Sequence, residues 1–344
     1  MDHITLKEAA NQLHLSRITV SKVLNNKPGV SLETKKRVLR KLAESGYERL
    51  SQDQLLLAGK IPEKQVRCIA VVTIAPDFSE FWLKIINSIS NSLTGTGYDF
   101  IYSILTKNGE GKYVIPQIID SHHVSGIIVI NVYDDEIISS LVKTEIPTVF
   151  LDTTPRMFEK SVGGDLILLD GFHSICQITK HMVKNGLNDF GFVGDITYSK
   201  TIFDRWEGFQ AALASCQLPL QQKYCFTSSP TGHFYYPDEI FSVLENLSSL
   251  PQAFVCANDY IAFMLIDKLK KKGYRVPEDI AVSGYDNIRE NLTTNSHLTT
   301  VCVDTEILGQ RLVKQILMRI EIPNLPCETI FIQPKIIYRE STGK

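Results

Sequence analysis

The sequence predicts two structural parts: an N-terminal all-α helix-turn-helix headpiece and an α/β body of two doubly wound parallel-sheet lobes. Capping residues and apolar residues at helical spacing mark three short helices within the first 47 residues. From Val66 onward, strand-like apolar runs alternate with helical segments, a pattern typical of parallel sheets covered on both faces. We therefore expect a headpiece over 1–47, a linker over 48–65 and a body over 66–344.

The alternation in the body divides into two series, each long enough for one lobe. The first lobe is expected at about 66–165 plus 301–328, and the second at about 166–300 plus 329–344. In doubly wound sheets, ligands bind at the carboxyl ends of the strands. A ligand of this chain is therefore expected in the cleft between the two lobes.

The charge of this 344-residue chain is unevenly distributed. The net charge is −2, but residues 1–60 carry eleven Lys and Arg against six Asp and Glu. The remaining residues are net acidic, so a small basic module is joined to an acidic body. Phosphate is the usual partner of such a module, which points to nucleic acid.

Several features exclude other classes of protein. No apolar run approaches the roughly eighteen residues of a membrane span, and the N-terminus MDHITLKEAA lacks a signal core, so a cytoplasmic protein is expected. The seven cysteines are scattered without a CxxC pair, which indicates reduced thiols. GEGK at 109–112 and GFVGD at 191–195 lack the phosphate-loop and dinucleotide fingerprints, and His122-His123 has no metal-ligand partner. Because no catalytic constellation stands out, we expect no enzyme, no cofactor and no metal.

The headpiece helices can be placed from their caps. Thr5 and Glu8 form a capping-box pattern, Ser16 and Ser31 are good N-caps, and Gly46 ends the third helix. The positions predicted to face a common core are Leu6, Ala9, Ala10, Leu13, Val20, Val23, Leu24, Val38, Leu39, Leu42 and Ala43. Because few residues separate the first two helices, they must cross sharply, which is the helix-turn-helix arrangement.

The second helix, SRITVSKVLNN, has a face that the core does not use, with Arg17, Ile18, Ser21 and Lys22. In isolation, such a face is more often an ordinary solvated surface. Ile18 argues against that interpretation, because an isoleucine on a solvated face has no structural purpose. In a DNA major groove it can contact a thymine methyl, while Arg17 or Lys22 can pair with guanine O6 and N7. The second helix is therefore predicted to read DNA.

The stretch TLKEAANQLHLSRITVSKVLNNKPGVSLETKKRVLRKLAESGY resembles, without a gap, the N-terminal headpiece of the lac/gal repressor family. The resemblance implies that Arg17, Ile18 and Lys22 read bases. The residues that it places at phosphates, or in setting the register, are Thr5, Ser16, Thr19, Ser21, Asn25 and Tyr47. One departure is His14, where the family usually has glycine. Histidine tolerates a left-handed conformation better than most side chains, so only a modest strain is expected.

Family members follow the headpiece with a short hinge helix that forms on operator binding and inserts a leucine into the minor groove. The corresponding stretch here is YERLSQDQLLLAGK, whose ending resembles that of the family and nominates Leu57, with Leu56 as the alternative. The usual Pro-Asn entry is missing and the segment is one residue longer. A wedge of this kind would kink the duplex. Alternatively, Leu55, Leu56 and Leu57 form a plain dimer contact.

Two stretches of the body resemble the same family: CANDYIAFMLIDKLKKKGYRVPEDIAVSGYDN at 256–287 and DRWEGFQAAL at 204–213. The resemblance implies a periplasmic-binding-protein-like body. It also implies that an effector is contacted by Arg205, Asn258 and Asp286 from the second lobe and by Asp152 from the first.

The chemistry of these residues agrees with such a site. A charged side chain at the end of a strand is costly to bury unless it binds something, and arginine with two carboxylates suits the vicinal hydroxyls of a sugar. The alternative is structural ion pairing between the lobes, which weighs more for Asp152 than for Asp286.

Aromatic side chains are expected to close the effector pocket. Trp82 is the first candidate and Phe226 the second. Two departures leave the identity of the ligand open: the ring that the family has near position 305 is replaced by Thr305, and the segment 226–236 is longer than usual.

The predicted function is an effector-controlled transcription regulator, most simply a repressor of carbohydrate-utilisation genes. The rivals are a solute-binding receptor, which has no use for a basic headpiece, and a sugar-modifying enzyme, which needs a base or a metal. A helix over about 305–317 has an apolar face broad enough for a subunit contact, and no leucine heptads follow it. We therefore expect a homodimer on a roughly palindromic operator.

Overall fold

The computed structural model describes residues 6–25, 27–45, 47, 50–59, 67–74, 79–120, 124–229, 237–245, 247–288 and 297–343. The chain forms two compact units, Met1–Val66 and Arg67–Lys344. Within the described ranges, no helix has both the length and the apolar character to cross a membrane.

The first unit contains the helices α1 (Leu6–Leu13), α2 (Arg17–Leu24), α3 (Leu32–Glu44) and α4 (Gln52–Leu57). Ser16 and Ser31 cap α2 and α3, each accepting a hydrogen bond from the backbone N–H three residues further on. The buried core consists of Ala9, Ala10, Val20, Val23, Val38, Leu39, Leu42 and Ala58. The three helices predicted from the sequence are therefore present, and α4 adds Ala58 to their core.

His14 lies in the turn between α1 and α2 with φ of 55°, in the left-handed region. The turn is closed by hydrogen bonds from His14 N–H to Asn11 C=O (3.2 Å) and from Leu15 N–H to Ala10 C=O (2.9 Å). The left-handed conformation predicted for this position is confirmed, and the strain is confined to one exposed residue.

The second unit is an α/β body. Its helices are α5 (Glu80–Leu93), α6 (Gln117–Asp120), α7 (Asp135–Val142), α8 (Pro155–Glu159), α9 (Gly171–Lys184), α10 (Lys200–Ser215), α11 (Pro237–Glu245), α12 (Asp259–Lys271) and α13 (Thr305–Glu321). Its strands are β1 (Cys68–Thr73), β2 (Asp99–Ile104), β3 (Thr106–Lys107), β4 (Tyr113–Val114), β5 (Gly126–Ile130), β6 (Thr148–Leu151), β7 (Asp165–Leu169), β8 (Phe190–Val193), β9 (Cys225–Phe226), β10 (Ala253–Cys256), β11 (Ala281–Ser283), β12 (Thr300–Cys302), β13 (Thr329–Ile332) and β14 (Lys335–Ile337). Short 3₁₀ turns lie at Gln222–Tyr224 and Glu340–Thr342.

The first lobe is built on a six-stranded parallel sheet in the order β13-β7-β6-β5-β1-β2. Alternate residues of its strands enter two different apolar clusters. In β1, for example, Ile69 and Val71 belong to one cluster and Ala70 and Val72 to the other. Burial on both faces explains why these strands read as continuous apolar runs in the sequence.

The lobe boundaries differ from the prediction at three strands. Residues 301–302 of β12 were expected in the first lobe, but bridges from Thr299 to Ser283 and from Cys302 to Asp286 join this strand to the second. β7 pairs with β6, and β13 pairs with β7, so residues 166–169 and 329–332 belong to the first sheet rather than to the second lobe. The sequence pattern could not show this, because an apolar strand between helices fits either of two parallel sheets equally well. Between β2 and β5, the strands β3 and β4 form a hairpin closed by Asn108, and the short helix α6 follows it.

The second lobe holds a four-stranded parallel sheet in the order β11-β10-β8-β9. β12 and β14 form an antiparallel pair beside it, joined to it by a bridge between Ser283 and Thr299. The end of the described chain is built into this lobe, because the buried Ser341 hydroxyl donates to Val282 C=O and accepts from Thr299 N–H.

Helix α13 packs closely against α5 in the first lobe. A Cβ at Gly309 would lie 2.5 Å from the Ser88 side chain, and the Ser88 hydroxyl donates a 2.6 Å hydrogen bond to Glu306 C=O. The apolar face of α13 is buried inside the chain through Leu308, Leu312, Val313 and Ile316. The breadth of this face, read from sequence as a possible subunit contact, is explained by packing within the chain, while Ile307 stays exposed.

A buried polar network ties α13 to the edge of the first sheet. Asp165, with 0% of its surface exposed, accepts hydrogen bonds from Arg319 Nε (3.0 Å) and from Gln315 Nε2 (2.8 Å). Its other oxygen accepts from Glu328 N–H, just before β13. Burial acts to raise the pKa of Asp165, but the hydrogen bonds from Arg319 and Gln315 outweigh it, and the pKa lies below its ordinary value.

Candidate DNA interface and effector site

The exposed face of α2 carries the side chains predicted to read bases. Arg17, Ile18 and Lys22 are all exposed, with 70% of the Ile18 surface open, while Val20 and Val23 on the opposite face are buried. An exposed isoleucine between two cations cannot be explained by packing within the headpiece. This face can present the Arg17 guanidinium and the Lys22 ammonium as hydrogen-bond donors to base edges, and Ile18 as an apolar contact.

The residues predicted to touch phosphate lie at the two ends of α2. The Ser16 hydroxyl accepts from Thr19 N–H (3.0 Å) and pairs with the Thr19 hydroxyl (2.9 Å), so both hydroxyls are held at the helix N-terminus. At the other end, Asn25 Nδ2 donates to the Ser21 C=O at 2.8 Å. Tyr47 packs against the headpiece core, and Thr5 lies outside the described residues.

The linker forms a helix, α4, with its own cap. Ser51 N–H donates to Gln54 Oε1 (3.0 Å) and Gln54 N–H donates to Ser51 Oγ (3.3 Å), which is a reciprocal capping box. The Gln54 amide also donates to Leu24 C=O at 2.9 Å, at the C-terminus of α2. Helix α4 is therefore joined directly to α2, in a linker that lacks the Pro-Asn entry usual in the lac/gal repressor family.

The candidate wedge residue Leu57 and its leucine neighbours lie in α4. Leu57 is half-buried against the headpiece core, next to the buried Ala58, and Leu55 is half-buried as well. The Leu56 side chain lies outside the described part of the structure. Insertion of Leu57 into a minor groove stays a prediction, and it requires this side chain to leave its packing against the headpiece.

Arg205, on α10, lies at the centre of the candidate effector site. Its surface is 5% exposed, its guanidinium carbon lies 3.6 Å from the centroid of the Tyr285 ring, and Nη1 donates to Ala257 C=O. Nη2 lies 4.0 Å from Asp286 Oδ1. The Arg205 Nε donor has no hydrogen-bond partner among the described residues. A buried donor without a partner is costly, which is typical of a group that awaits a ligand.

Asp286 follows β11 with φ of 109°, a conformation that side chains rarely adopt. Burial raises the pKa of its carboxyl group to about 7, and Arg205 only partly opposes this effect. Asn258, which follows β10, accepts a 2.9 Å hydrogen bond from Ile261 N–H and caps α12. The structure therefore brings Arg205 and Asp286 together at the strand ends, with Asn258 next to Ala257, the Arg205 acceptor.

Asp152 is engaged by protein donors. Its Oδ1 accepts from Thr153 N–H (2.8 Å) and Thr201 N–H (3.2 Å), and its Oδ2 accepts from the Thr201 hydroxyl. Burial raises the pKa of Asp152, and these hydrogen bonds work against that rise. Because Asp152 follows a first-lobe strand and Thr201 lies in the first turn of a second-lobe helix, this carboxylate links the two lobes. The link consists of hydrogen bonds, whereas the alternative weighed from sequence was an ion pair between the lobes.

Further contacts join the two lobes beside Asp152 and Thr201. The Tyr133 and Tyr198 rings lie 4.3 Å apart between centroids, and Tyr198 Oη donates to Asn131 Oδ1 at 3.4 Å. Lys200 N–H donates to Thr153 C=O at 2.7 Å. In this structure the carboxyl ends of β5 and β6 therefore meet the start of α10.

The two aromatic candidates are half-buried on opposite lobes. Trp82, on α5, has its ring edge against Phe81 at 5.1 Å between centroids, and Phe226 ends β9. The ring that stacks on Arg205 belongs instead to Tyr285, which had not been singled out. The long segment that contains residues 230–236 and the pair His122-His123 lie outside the described residues.

Comparison with known proteins agrees with this arrangement. Residues 5–49 match the bacterial regulatory proteins of the lacI family, and residues 179–342 match a periplasmic binding protein-like domain. The chain is 28% identical over 347 residues to the HTH-type transcriptional repressor PurR of Mannheimia succiniciproducens, with 99% of each chain covered. It is 27% identical over 342 residues to the PurR of Pasteurella multocida, with 98% of each covered. The chain is therefore similar to lacI-family regulators in its headpiece, and over its whole length to repressors named PurR.

Solved structures of lacI-family proteins share its fold. The CelR–cellobiose complex has a TM-score of 0.67 and 19% identity, covering 98% of this chain and 99% of the other. A lac repressor dimer bound to operator and the anti-inducer ONPF has a TM-score of 0.67 and 21% identity, with 100% of both chains covered. A ribose-bound regulator from Enterococcus faecium has a TM-score of 0.66 and 24% identity, covering 80% of this chain and 99% of the other. These likenesses show the fold.

The two matched domains and the full-length relatives confirm the resemblance and the predicted fold class, and they indicate a DNA-binding regulator rather than an enzyme. Sequence reasoning missed three groups near the effector site: Tyr285 beneath Arg205, Thr201 on Asp152, and Asp259. Tyr285 and Asp259 lie inside the stretch 256–287, directly beside the predicted effector contacts Asp286 and Asn258. Thr201 had no comparable signal, because its partner is 49 residues away.

Proposed function

We propose that this protein is a sequence-specific repressor whose operator affinity is controlled by a small molecule bound between the lobes. The observation that carries the DNA-binding part is the exposed face of α2, with Arg17, Ile18 and Lys22 open while the other face is buried. The proposal places the headpiece at 1–47, the hinge at 48–65 and the effector-binding body at 66–344. Since its target is chromosomal DNA, we place it in the cytoplasm.

The proposed effector is a sugar. Asp286, which is half-buried, supplies acceptor oxygens, and the buried Arg205 supplies an Nε donor without a partner among the described residues. The two side chains lie next to each other, an arrangement suited to neighbouring hydroxyl groups. Two structural neighbours contain cellobiose and ribose. Trp82 and Phe226, half-buried on α5 and β9, are proposed to line the same pocket. Control of carbohydrate-utilisation genes follows from this proposal.

A planar heterocycle is the competing ligand, because the most similar repressors reported above are named PurR and because Trp82 and Phe226 could stack on a ring. Thermal unfolding of the purified protein with D-ribose, cellobiose, and the bases adenine and guanine separates the two. A ligand at a hundred times its dissociation constant adds about 2.7 kcal/mol to stability. A shift with a base and none with either sugar would contradict the sugar proposal.

A homodimer is proposed as the DNA-binding form, in which two headpieces meet the two halves of a roughly palindromic operator. Sequences selected from a random library by the full-length protein provide the test. The proposal predicts inverted repeats, whereas selected sites without any two-fold symmetry would contradict it.

Replacing Arg17 by alanine is expected to cost about 1–3 kcal/mol on the selected operator and to relax specificity at one symmetric pair of positions. The physical reason is the loss of a bidentate contact to guanine. Lys36, exposed on α3, is the matched control, since Lys36→Ala removes a charge that at most touches phosphate and weakens all sequences alike. Binding titrations on operator and random DNA measure both. Equal losses on the two DNAs for Arg17→Ala would remove it from base reading.

Replacing Leu57 by alanine is expected to weaken binding mainly to operators with a flexible pyrimidine–purine step at the centre. Because Leu57 also packs on the headpiece, its contribution to the stability of that unit must be measured in parallel by thermal unfolding. Leu55→Ala serves as the control within α4. If Leu56→Ala is harmful and Leu57→Ala is not, the wedge is Leu56; if neither matters, the leucines form only a packing or dimer contact.

A further inference from the structure

Asp259 is the first residue of α12 and only 1% of its surface is exposed. Burial, and then the neighbouring charge of Asp286, raise the pKa of this carboxyl group above its ordinary value. An ionised carboxylate is therefore expensive at this position, and a neutral side chain of similar shape would cost less. The hydrogen bonds of Asp259 indicate why a carboxylate is present at this position.

The Asp259 carboxylate holds the loop that carries Asp286. Its Oδ2 accepts a 3.0 Å hydrogen bond from Ile288 N–H, and the Asn287 N–H is a further donor to the carboxylate. On the other side of the loop, Asp259 N–H donates to Tyr285 C=O at 2.8 Å. The residues on either side of Asp286 are thus bonded to Asp259.

The backbone of this loop needs an external restraint. Asp286 has φ of 109° and Asn287 has φ of 55°, both in the left-handed region, so neither conformation is favoured by the chain itself. The loop also passes very close to Asp259, since a Cβ added at Gly284 would lie 2.2 Å from Asp259 Oδ1. The glycine permits this approach and the carboxylate then fixes the loop.

The same carboxylate reaches a strand that connects the lobes. Thr300 Oγ1 donates a 2.6 Å hydrogen bond to Asp259 Oδ1, and Thr300 begins β12, from which the chain continues into α13 of the first lobe. Asp286 N–H bonds to Val301 C=O in the same strand at 2.9 Å. The effector loop and the crossover strand therefore share one anchor.

We infer that Asp259 is a positioning residue of the effector site, holding the 284–288 loop against β12 so that Asp286 faces Arg205. It acts through the loop and does not itself contact the effector. This inference rests on the proposed function for the use of the site, whereas the restraint on the loop can be tested without any ligand.

The first test is amide hydrogen exchange of the full-length protein with Asp259→Asn. Asparagine keeps the size of the side chain, but it places an NH₂ group or a weaker acceptor opposite the loop amides. The Ile288 and Asn287 amides are expected to exchange at least about tenfold faster than in the wild type, with the α12 amides beyond its first turn unchanged. Unchanged exchange at 287–288, or equal loosening along the whole of α12, would overturn the inference.

Asp304→Asn is the matched control, since Asp304 caps α13 by accepting from Ile307 N–H and lies outside the loop. Asparagine caps helices as well as aspartate, so exchange at 287–288 should not change in this variant. Thr300→Val removes one hydroxyl from the Asp259 carboxylate and should speed exchange at Ile288 to a smaller extent. Asn287 is not a readout for this variant, because its N–H also donates directly to Thr300 Oγ1 at 3.3 Å. Should Asp259→Asn fail to fold, the Ile288 amide in Thr300→Val decides, and unchanged exchange there would overturn the inference.

The second test uses D-ribose and cellobiose as probes in thermal-shift titrations. Whichever sugar stabilises the wild type should bind Asp259→Asn at least about tenfold more weakly, while Asp304→Asn behaves like the wild type. Equal affinity in wild type and Asp259→Asn would overturn the inference. If neither sugar shifts the wild type, the sugar proposal fails, and the exchange measurement still decides the role of Asp259.

Discussion

Replacing Asp286 by asparagine is expected to leave operator binding near the wild-type level and to abolish the response to effector. The substitution keeps the shape of the side chain but removes its charge and half of its acceptor capacity. Hydrogen bonds to a charged group contribute about 1.5–3 kcal/mol each, so losing two of them weakens effector binding by roughly a hundredfold or more. Operator titrations with and without the effector identified by thermal shift measure both properties.

The coupling argument behind this expectation is thermodynamic. An effector can change operator affinity only if it binds one arrangement of the lobes better than the other, and the change cannot exceed that difference. A variant that no longer holds the effector therefore loses the response without losing DNA binding. An Asp286→Asn protein that still responds at the wild-type effector concentration would remove Asp286 from the site.

The same substitution is expected to change the pH dependence of the free energy of unfolding. The folded-state pKa of Asp286 is raised to about 7, above the unfolded value near 4. The folded state therefore binds more protons than the unfolded state between these values, and the free energy of unfolding falls as pH rises through this window. Asparagine avoids this loss. Effector-free Asp286→Asn is expected to be more stable than wild type by roughly 1–3 kcal/mol at pH 8, with the difference shrinking at pH 5, as measured by urea unfolding. A variant less stable than wild type at pH 8 would show the carboxylate to be structural.

Replacing Arg319 by methionine is expected to cost about 3–5 kcal/mol of folding free energy. The substitution leaves the Asp165 carboxylate, 0% exposed, without the guanidinium that pairs with it, and an unpaired buried charge is among the most destabilising defects. The Arg319 side chain also bonds to Leu325 and Pro326 carbonyls, so the turn before β13 loses its anchor. Urea unfolding of the full-length protein gives the change directly.

The pH dependence and a double variant identify the cause. Without Arg319, only the hydrogen bonds from Gln315 and from Glu328 N–H oppose the effect of burial on Asp165. The pKa of Asp165 is therefore expected to rise, and the deficit relative to wild type should grow from pH 5 to pH 8. Adding Asp165→Asn to Arg319→Met should recover part of the loss by removing the buried charge. Arg311→Met is the control on the same helix, since half-buried Arg311 bonds only to Gln315 Oε1 among its described partners. A deficit that is independent of pH and unrelieved in the double variant would assign the effect to packing.

The headpiece could be predicted from the sequence in detail because its determinants are local. Helical spacing alone separates Val20 and Val23, which are buried, from Arg17, Ile18 and Lys22, which are exposed. Hydroxyl caps at Ser16 and Ser31 mark where helices begin, since they satisfy N–H groups within three residues. For the same reason the parallel α/β character of the body could be read from its alternation of apolar runs and helices.

The sequence by itself thus determined the helix faces, the caps and the fold class, together with the family resemblance that pointed to Arg205 and Asp286. Only the tertiary structure decided which sheet takes β7 and β13, that Asp152 is held by Thr201 across the lobes, that Gln54 joins α4 to Leu24, and that Asp259 is bonded to the loop that carries Asp286. The physical reason is the range of the interactions. A helix face follows from spacing of three or four residues, whereas a buried carboxylate or amide is satisfied by donors and acceptors that only folding brings to it.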